Sequence, residues 1–396
     1  MLDLFTSIIF FVYLFFLRGE EPAIQVALTI FIAFSPVCLM LSKILVIRLA
    51  ERVAEEEEIK LNNPDSLLTL AEVDTVAVPM NKFVTDGNYF VTDLFPEGLT
   101  QSSLLSFCAI AEQNASHILG QKIYDAAVNR ALRLQPVAAF NEIPGSGVEA
   151  ILNGSPIRVG NPQWVANQGV SVSVNLFNKM DQLAVHGKTV LLLGMGNMAR
   201  GIIALKDDIN PRTKEFLSML KRKKLETVLL TASGKKTAKG IAKNLSVDAI
   251  KANLSPEDKA REVQIMRAKR QTVAVIGNEF RDLPALFNAD VAVHLQDGSL
   301  VLNEGSDNLK LDIEIPSPEK FLIIRNIATK AADLIKINRR IAYVSWLLLV
   351  PAAMMTAPET STLIFTPLMA FAGVAIFSTL IAINSMRMRK PEEEKF

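Results

Sequence analysis

Few residues in this 396-residue chain carry chemistry, and fewer still are spaced to do it together. The three histidines, His117, His186 and His294, lack the H-E-x-x-H spacing that puts two imidazoles on one zinc ion. The two cysteines, Cys38 and Cys108, are far apart and form no C-x-x-C pair, so they read as free buried thiols in a reducing compartment. What remains is a set of short constellations. Glu112 stands five residues before His117, with Ser116 directly ahead of the histidine. Gly145 and Gly147 bracket Ser146, and Gly160 follows in Arg158-Val-Gly-Asn-Pro162. Lys259 ends the run Leu254-Ser-Pro-Glu-Asp-Lys, and Asp282 lies inside Gly277-Asn-Glu-Phe-Arg-Asp-Leu-Pro-Ala-Leu286. Residues 73–88 lead from a strand-like apolar run through Pro79 and Met80 to the turn Thr85-Asp86-Gly87. Taken singly, a G-x-G is weak evidence of a ligand, and a lone histidine is an ordinary helix-surface residue.

The elements that must position these groups fall into two kinds. Leu2–Leu17 is apolar and rich in Phe, slightly short of the roughly 20 residues of a spanning helix. It lacks the basic start and small-residue cleavage site of a signal peptide. Ala23–Ala50 is a second apolar run, interrupted at Ser35-Pro36. Ile341–Met355 and Leu363–Ile383 form another apolar pair. Lys43, Arg48 and Arg52 flank the first pair, and Arg387, Arg389 and Lys390 the second, which predicts four spans with both termini and the large insert cytoplasmic. The run Glu55–Glu58 reads as a solvated helix exit. Between the pairs, strand-like Val190–Gly194, Thr227–Thr231 and Thr272–Gly277 alternate with helical Asn210–Lys224 and Pro256–Lys269, predicting an α/β part with a parallel sheet covered by helices on both faces. A net charge of +1 gives no global field for nucleic acid.

In this order the constellations resemble P-type cation-transporting ATPases, above all the heavy-metal branch. The frame V-D-x-x-x-F-D-K-T-G-T-L-T-x-G is matched at its ends by Val73-Asp74 and by Thr85 and Gly87. The reacting centre differs. Pro79 holds the position of the phosphorylated Asp, Met80 that of its Lys, and Asn81-Lys82-Phe83 stands for T-G-T. Proline offers no nucleophile for the acyl phosphate and no N–H to orient it. The family's T-G-D reads Thr231-Ala232-Ser233, its later lysine matches Lys259, and G-D-G-x-N-D reads Gly277-Asn278-Glu279-Phe280-Arg281-Asp282. The resemblance makes Thr231, Lys259 and Asp282 a remnant phosphate site. With Pro79 and Asn278 replacing two carboxylates, no catalytic magnesium is expected. Arg281 is expected to face solvent, with filling the vacated metal space as its alternative. Asp207 corresponds to a hinge acid that closes a turn.

The resemblance also implies a retained adenine pocket at Glu112, His117, Gly145, Gly147 and Gly160, although the same residues would persist if they only held the subdomain together. ATP or another nucleotide would then be bound and not hydrolysed. The metal-translocating C-P-C motif reads Ser35-Pro36-Val37, and Cys38 reads as buried filler. Ser378 and Thr379 are expected to bond their own helix, so no metal-ligand set is predicted.

The implied fold is a set of membrane helices with a haloacid-dehalogenase-like, Rossmann-like phosphorylation domain and an inserted α+β nucleotide-binding domain. The expected segments are 1–60 for the first hairpin, 61–90 and 196–316 for the phosphorylation-like domain, and 91–195 for the insertion. They continue with 317–390 for a membrane-proximal helix and second hairpin, and 391–396 for a charged tail. The family's actuator has no counterpart in the sequence. The resemblance therefore suggests an inactive subunit or regulator in a prokaryotic cell membrane, partnered by other membrane-protein subunits. The alternatives are a transporting core completed by a partner chain and a ligand-free scaffold.

Overall fold

The computed structural model describes residues 20–296, 311–353 and 364–388, together with Val12 and Phe16. Two compact units divide the chain: residues 1–73, 293–296 and 302–396 form one, and residues 74–292 and 297–301 the other. Apart from Val12 and Phe16, the expected Leu2–Leu17 span lies outside the described residues, as do the charged tail 391–396 and the loop joining the second apolar pair.

The first unit is mainly helical. Its helix Glu20–Ala33 stops before Ser35-Pro36, where proline cannot donate to the ladder, and Val37–Glu56 resumes beyond the break. The short strand β1 (Lys60–Leu61) follows. The third apolar run forms the far end of one continuous helix, Lys320–Ala353, so the expected membrane-proximal helix runs on into it. No glycine or proline interrupts that helix before Pro351, so a charged half and an apolar half share one axis. Pro367–Ser385 closes the unit, capped by Thr366. Among the described residues, Ile24–Glu56 and Pro367–Ser385 are long and apolar enough to cross a membrane.

The second unit contains two sheets. β2 (Thr75–Pro79) is buried at every position, as a central parallel strand requires. β3 (Phe90–Pro96), β4 (Ala139–Ile143), β5 (Gly147–Leu152), β6 (Ser155–Gly160), β7 (Thr189–Met195) and β8 (Met198–Lys206) form an antiparallel sheet in the order β3-β8-β7-β6-β5-β4. Helices Gln101–Glu112 and Ile118–Asn129 bury Leu104, Cys108, Ile123 and Ala127 with Val148, Val159 and Leu193 of that sheet. β9 (Glu226–Leu230), β10 (Ala249–Lys251) and β11 (Val273–Gly277) complete a parallel set with β2, in the order β10-β9-β2-β11.

Two of the three strands read from sequence therefore lie in the parallel sheet, whereas Val190–Gly194 belongs to the antiparallel one. Apolar runs of that length do not reveal whether their neighbours run parallel or antiparallel. The helical readings hold: Pro211–Arg222 is capped by Asn210, and Pro256–Ala268 begins with a Ser255–Asp258 capping box. β12 (Val291–Leu295) pairs through Val293–Leu295 with β13 (Ile313–Ile315), which also pairs with β1.

Candidate functional site

The carboxyl ends of β2, β9 and β11 bring together the segments whose sequence suggested a phosphate site, where open α/β sheets place their ligands. Pro79 is the last residue of β2, and Met80 behind it is 1% exposed. Thr231 Oγ1 lies 3.7 Å from Met80 Sδ and accepts the amide of Ser233 at 3.0 Å. The chain then turns tightly: the Thr85 amide donates to Met80 O at 3.1 Å, and Lys82 takes a φ of 56°. That turn presents Lys82 O to Asn278 Nδ2 at 2.8 Å and carries Lys82 Nζ to 3.1 Å from Glu279 Oε1.

Asp282 is buried and accepts Lys259 Nζ at 2.8 Å. Its other oxygen takes longer contacts from the amides of Asn278 and Glu279, at 3.4 and 3.3 Å. Each carboxylate facing the turn thus already has a lysine: Glu279 has Lys82 and Asp282 has Lys259. The donor set does not fit magnesium, which favours several free hard oxygens, carboxylates among them. Arg281 is exposed, as expected, and Met80 is buried. Among the described residues no group of three His, Cys, Asp or Glu side chains could hold a metal ion.

The second cluster lies on the antiparallel sheet. Helix Gln101–Glu112 ends with Glu112, and His117 caps the next helix by accepting the Gly120 amide on Nδ1 at 3.0 Å. That bond leaves the proton on Nε2, which lies 3.2 Å from Glu112 Oε2. Glu112 is 2% exposed, and its Oε1 has no hydrogen-bond partner among the described residues. Burial raises the Glu112 carboxyl above its usual range, partly opposed by His117, and the Glu112 contact raises His117. A buried carboxylate oxygen without a donor is costly. Glu142 of β4 fixes the preceding residue by accepting the amide and hydroxyl of Ser116 at 2.9 and 3.0 Å.

The three glycines divide. Gly147 and Gly160 face each other across β5 and β6, and Trp164 lies over both. A Cβ on Gly160 would lie 2.4 Å from Ser146 O, and one on Gly147 would lie 2.4 Å from Val159 O. These two glycines therefore meet a packing requirement, which supports the subdomain-holding alternative for them. Gly145, at φ 75°, has open space where a Cβ would be and is free to approach a ligand. Asp207 accepts the Gly87 amide at 3.2 Å, with burial raising its carboxyl, so it closes the turn as expected.

The Lys82–Glu279 pair and the Glu142 support were not read from the sequence. Alternation in β4 would have placed Glu142 on the Ser116 side only once that sheet's register was known.

In the first unit, Trp346 Nε1 donates to Ser35 O at 3.1 Å and stacks on Phe34 at 4.9 Å, so the helix break is covered by an indole. Cys38 is buried as expected. Ser378 departs from expectation, because its hydroxyl lies 3.4 Å from Cys38 Sγ, whereas Thr379 bonds Ala375 O of its own helix. The packing of the Pro367–Ser385 helix on Val37–Glu56 decides this, and helix periodicity does not show it.

The family profile of haloacid dehalogenase-like hydrolases matches residues 84–290. The match spans just over half of the chain, which belongs to that family. Within it the full-length likeness is to heavy-metal P-type ATPases. Copper-exporting P-type ATPases of Staphylococcus aureus strains JH9 and N315 are each 26% identical over 370 residues. These alignments cover 93% of this chain but 44% of the relatives, so the chain spans less than half of their length. Among solved structures, a zinc-transporting PIB-type ATPase in the E2.Pi state superposes with a TM-score of 0.64 at 22% identity, covering 98% of this chain and 62% of the other. The catalytic domain of the CPx-ATPase CopB-B gives 0.52 at 23% identity, over 70% of this chain and 97% of its own. These structures agree in fold with membrane helices joined to an α/β cytoplasmic part.

Proposed function

We propose that this chain is a catalytically inactive P-type-ATPase-like membrane protein, serving as a regulatory or structural subunit of a membrane assembly and sensing a nucleotide at Glu112, His117 and Gly145. The observation that carries this reading is the self-neutralised turn after β2. Pro79 supplies no nucleophile, Asn278 is bonded to Lys82 O, and Lys259 is engaged by Asp282. The nucleotide pocket is supported separately. Glu112 Oε1 is buried without a donor, His117 Nε2 carries a proton beside it, and Gly145 leaves open space in the adjoining loop. In this arrangement the part-exposed His117 ring stacks on the base, and the buried Glu112 holds that ring in place through Nε2. No residue here would accept the terminal phosphate, so the nucleotide leaves intact.

The test is calorimetric titration of the detergent-purified full chain with ATP, with and without magnesium, beside His117→Ala. Binding that ignores magnesium and weakens in the variant supports the sensor. Silence at millimolar ATP leaves a ligand-free scaffold. ATP hydrolysis by the pure chain refutes the inactive reading altogether.

A further inference from the structure

In the first unit, a crevice of roughly 410 Å³ runs between helix Val37–Glu56 and helix Lys320–Ala353. The first helix contributes Leu39, Met40, Lys43 and Ile44, and the second Arg339 and Tyr343. Chemistry changes along its length in the same sense on both walls. Tyr343 lies one turn beyond Arg339, towards the stretch where Val344, Leu347 and Leu348 are exposed. Leu39 and Met40 lie one turn from Lys43 on its apolar side, while Arg48 and Arg52 follow on the other. Beyond Arg339 in the opposite direction come Lys336, Asp333 and Lys330. The crevice therefore joins two cations to an apolar end that carries Tyr343, where the charged stretch of each helix gives way to its apolar stretch. Arg339 has no ion pair among the described residues, and Lys43 is held only by Asp65, a 71%-exposed carboxylate 2.8 Å away.

We propose that this crevice is a binding site for one anionic phospholipid. Its headgroup phosphate sits between Arg339 and Lys43, displacing Asp65, and an acyl chain lies along Leu39, Met40 and Tyr343. Guanidinium and ammonium groups both suit phosphate oxygens, and basic pockets between membrane helices select anionic headgroups. A free phosphate would use only the cationic end and leave the apolar end without its occupant. The site is independent of the nucleotide reading.

Native mass spectrometry of the full chain tests this, with titration by phosphatidylglycerol or phosphatidylcholine. Phosphatidylglycerol should bind more tightly, and Arg339→Gln or Lys43→Gln should each weaken it about fivefold, the effect of one cation near a membrane surface. Arg48→Gln, on the same helix but outside the crevice, should leave the affinity unchanged. Arg339 is exposed, so its loss leaves the fold intact, and Lys43→Gln gives an independent second reading. Equal binding of the two lipids, equal loss in Arg48→Gln, or displacement of phosphatidylglycerol by inorganic phosphate would overturn the proposal.

Discussion

Replacing Lys259 with methionine tests the proposed structural role of Lys259, as the partner of the buried Asp282. Lys259 is 9% exposed and Asp282 3%, with Nζ and Oδ1 2.8 Å apart. Methionine fills most of the lysine stem but withdraws the charge. Asp282 would then keep only long amide contacts at 3.3 and 3.4 Å, too weak to compensate a buried carboxylate. Breaking a buried pair from one side costs about 3–5 kcal/mol, whereas an exposed pair is worth about 0–1. The expected loss is therefore about 3–5 kcal/mol of stability in the second unit, and Lys259→Met with Asp282→Asn should recover more than half of it.

Trp164 packs in that unit and Trp346 lies in the other, so urea unfolding followed by fluorescence in a Trp346→Phe background isolates the relevant transition. Raising salt from about 0.1 to 1 M should barely change the loss, because buried pairs are poorly screened. A cost below about 1 kcal/mol, or one that vanishes in salt, would refute the reasoning and return Lys259 to the pool of groups free to meet phosphate.

The Glu112–His117 pair predicts a pH dependence. Both groups are raised in the folded protein, so both contribute stability that is lost as pH rises. For His117 the contribution is complete below its ordinary value of about 6.5 and disappears as pH passes the raised one. Thermal unfolding at about pH 6 and 8 should show a wild-type advantage over His117→Gln that shrinks at the higher pH, and an unchanged advantage counts against the pair. Gly160→Ala drives a Cβ against the Ser146 carbonyl and should cost about 1–3 kcal/mol by urea unfolding, with little effect expected only if that strand pair can separate. Gly145→Ala meets no atom within 4 Å but keeps a φ of 75°, so it should cost about 1–2 kcal/mol and weaken ATP binding in calorimetry. On the proposed inactive reading Pro79→Asp alone should give no ATP turnover, because Asn278 is bonded to Lys82 O and Asp282 to Lys259, leaving the new carboxylate without a second free carboxylate beside it; phosphate release above background would show that the site is one substitution from activity.

Much of the site was legible because its chemistry is local in sequence. Pro79, Met80 and Asn278 are residue identities that the sequence states outright, and no fold places a carboxylate at Pro79 or Asn278. The Glu112–His117 spacing and the Asn210 and Ser255 caps are likewise short-range, set by helix period and backbone geometry, whereas Asp207 closes its turn on Gly87 from 120 residues away. Tertiary structure alone decided the pairings across long separations. Lys82 meets Glu279, Lys259 turns to Asp282, Gly147 faces Gly160 beneath Trp164, and Ser378 reaches Cys38. It also decided that β7 runs antiparallel to its neighbours and that the third apolar run extends a charged helix. An apolar run records that it will be buried, and only strand order and helix packing determine against what.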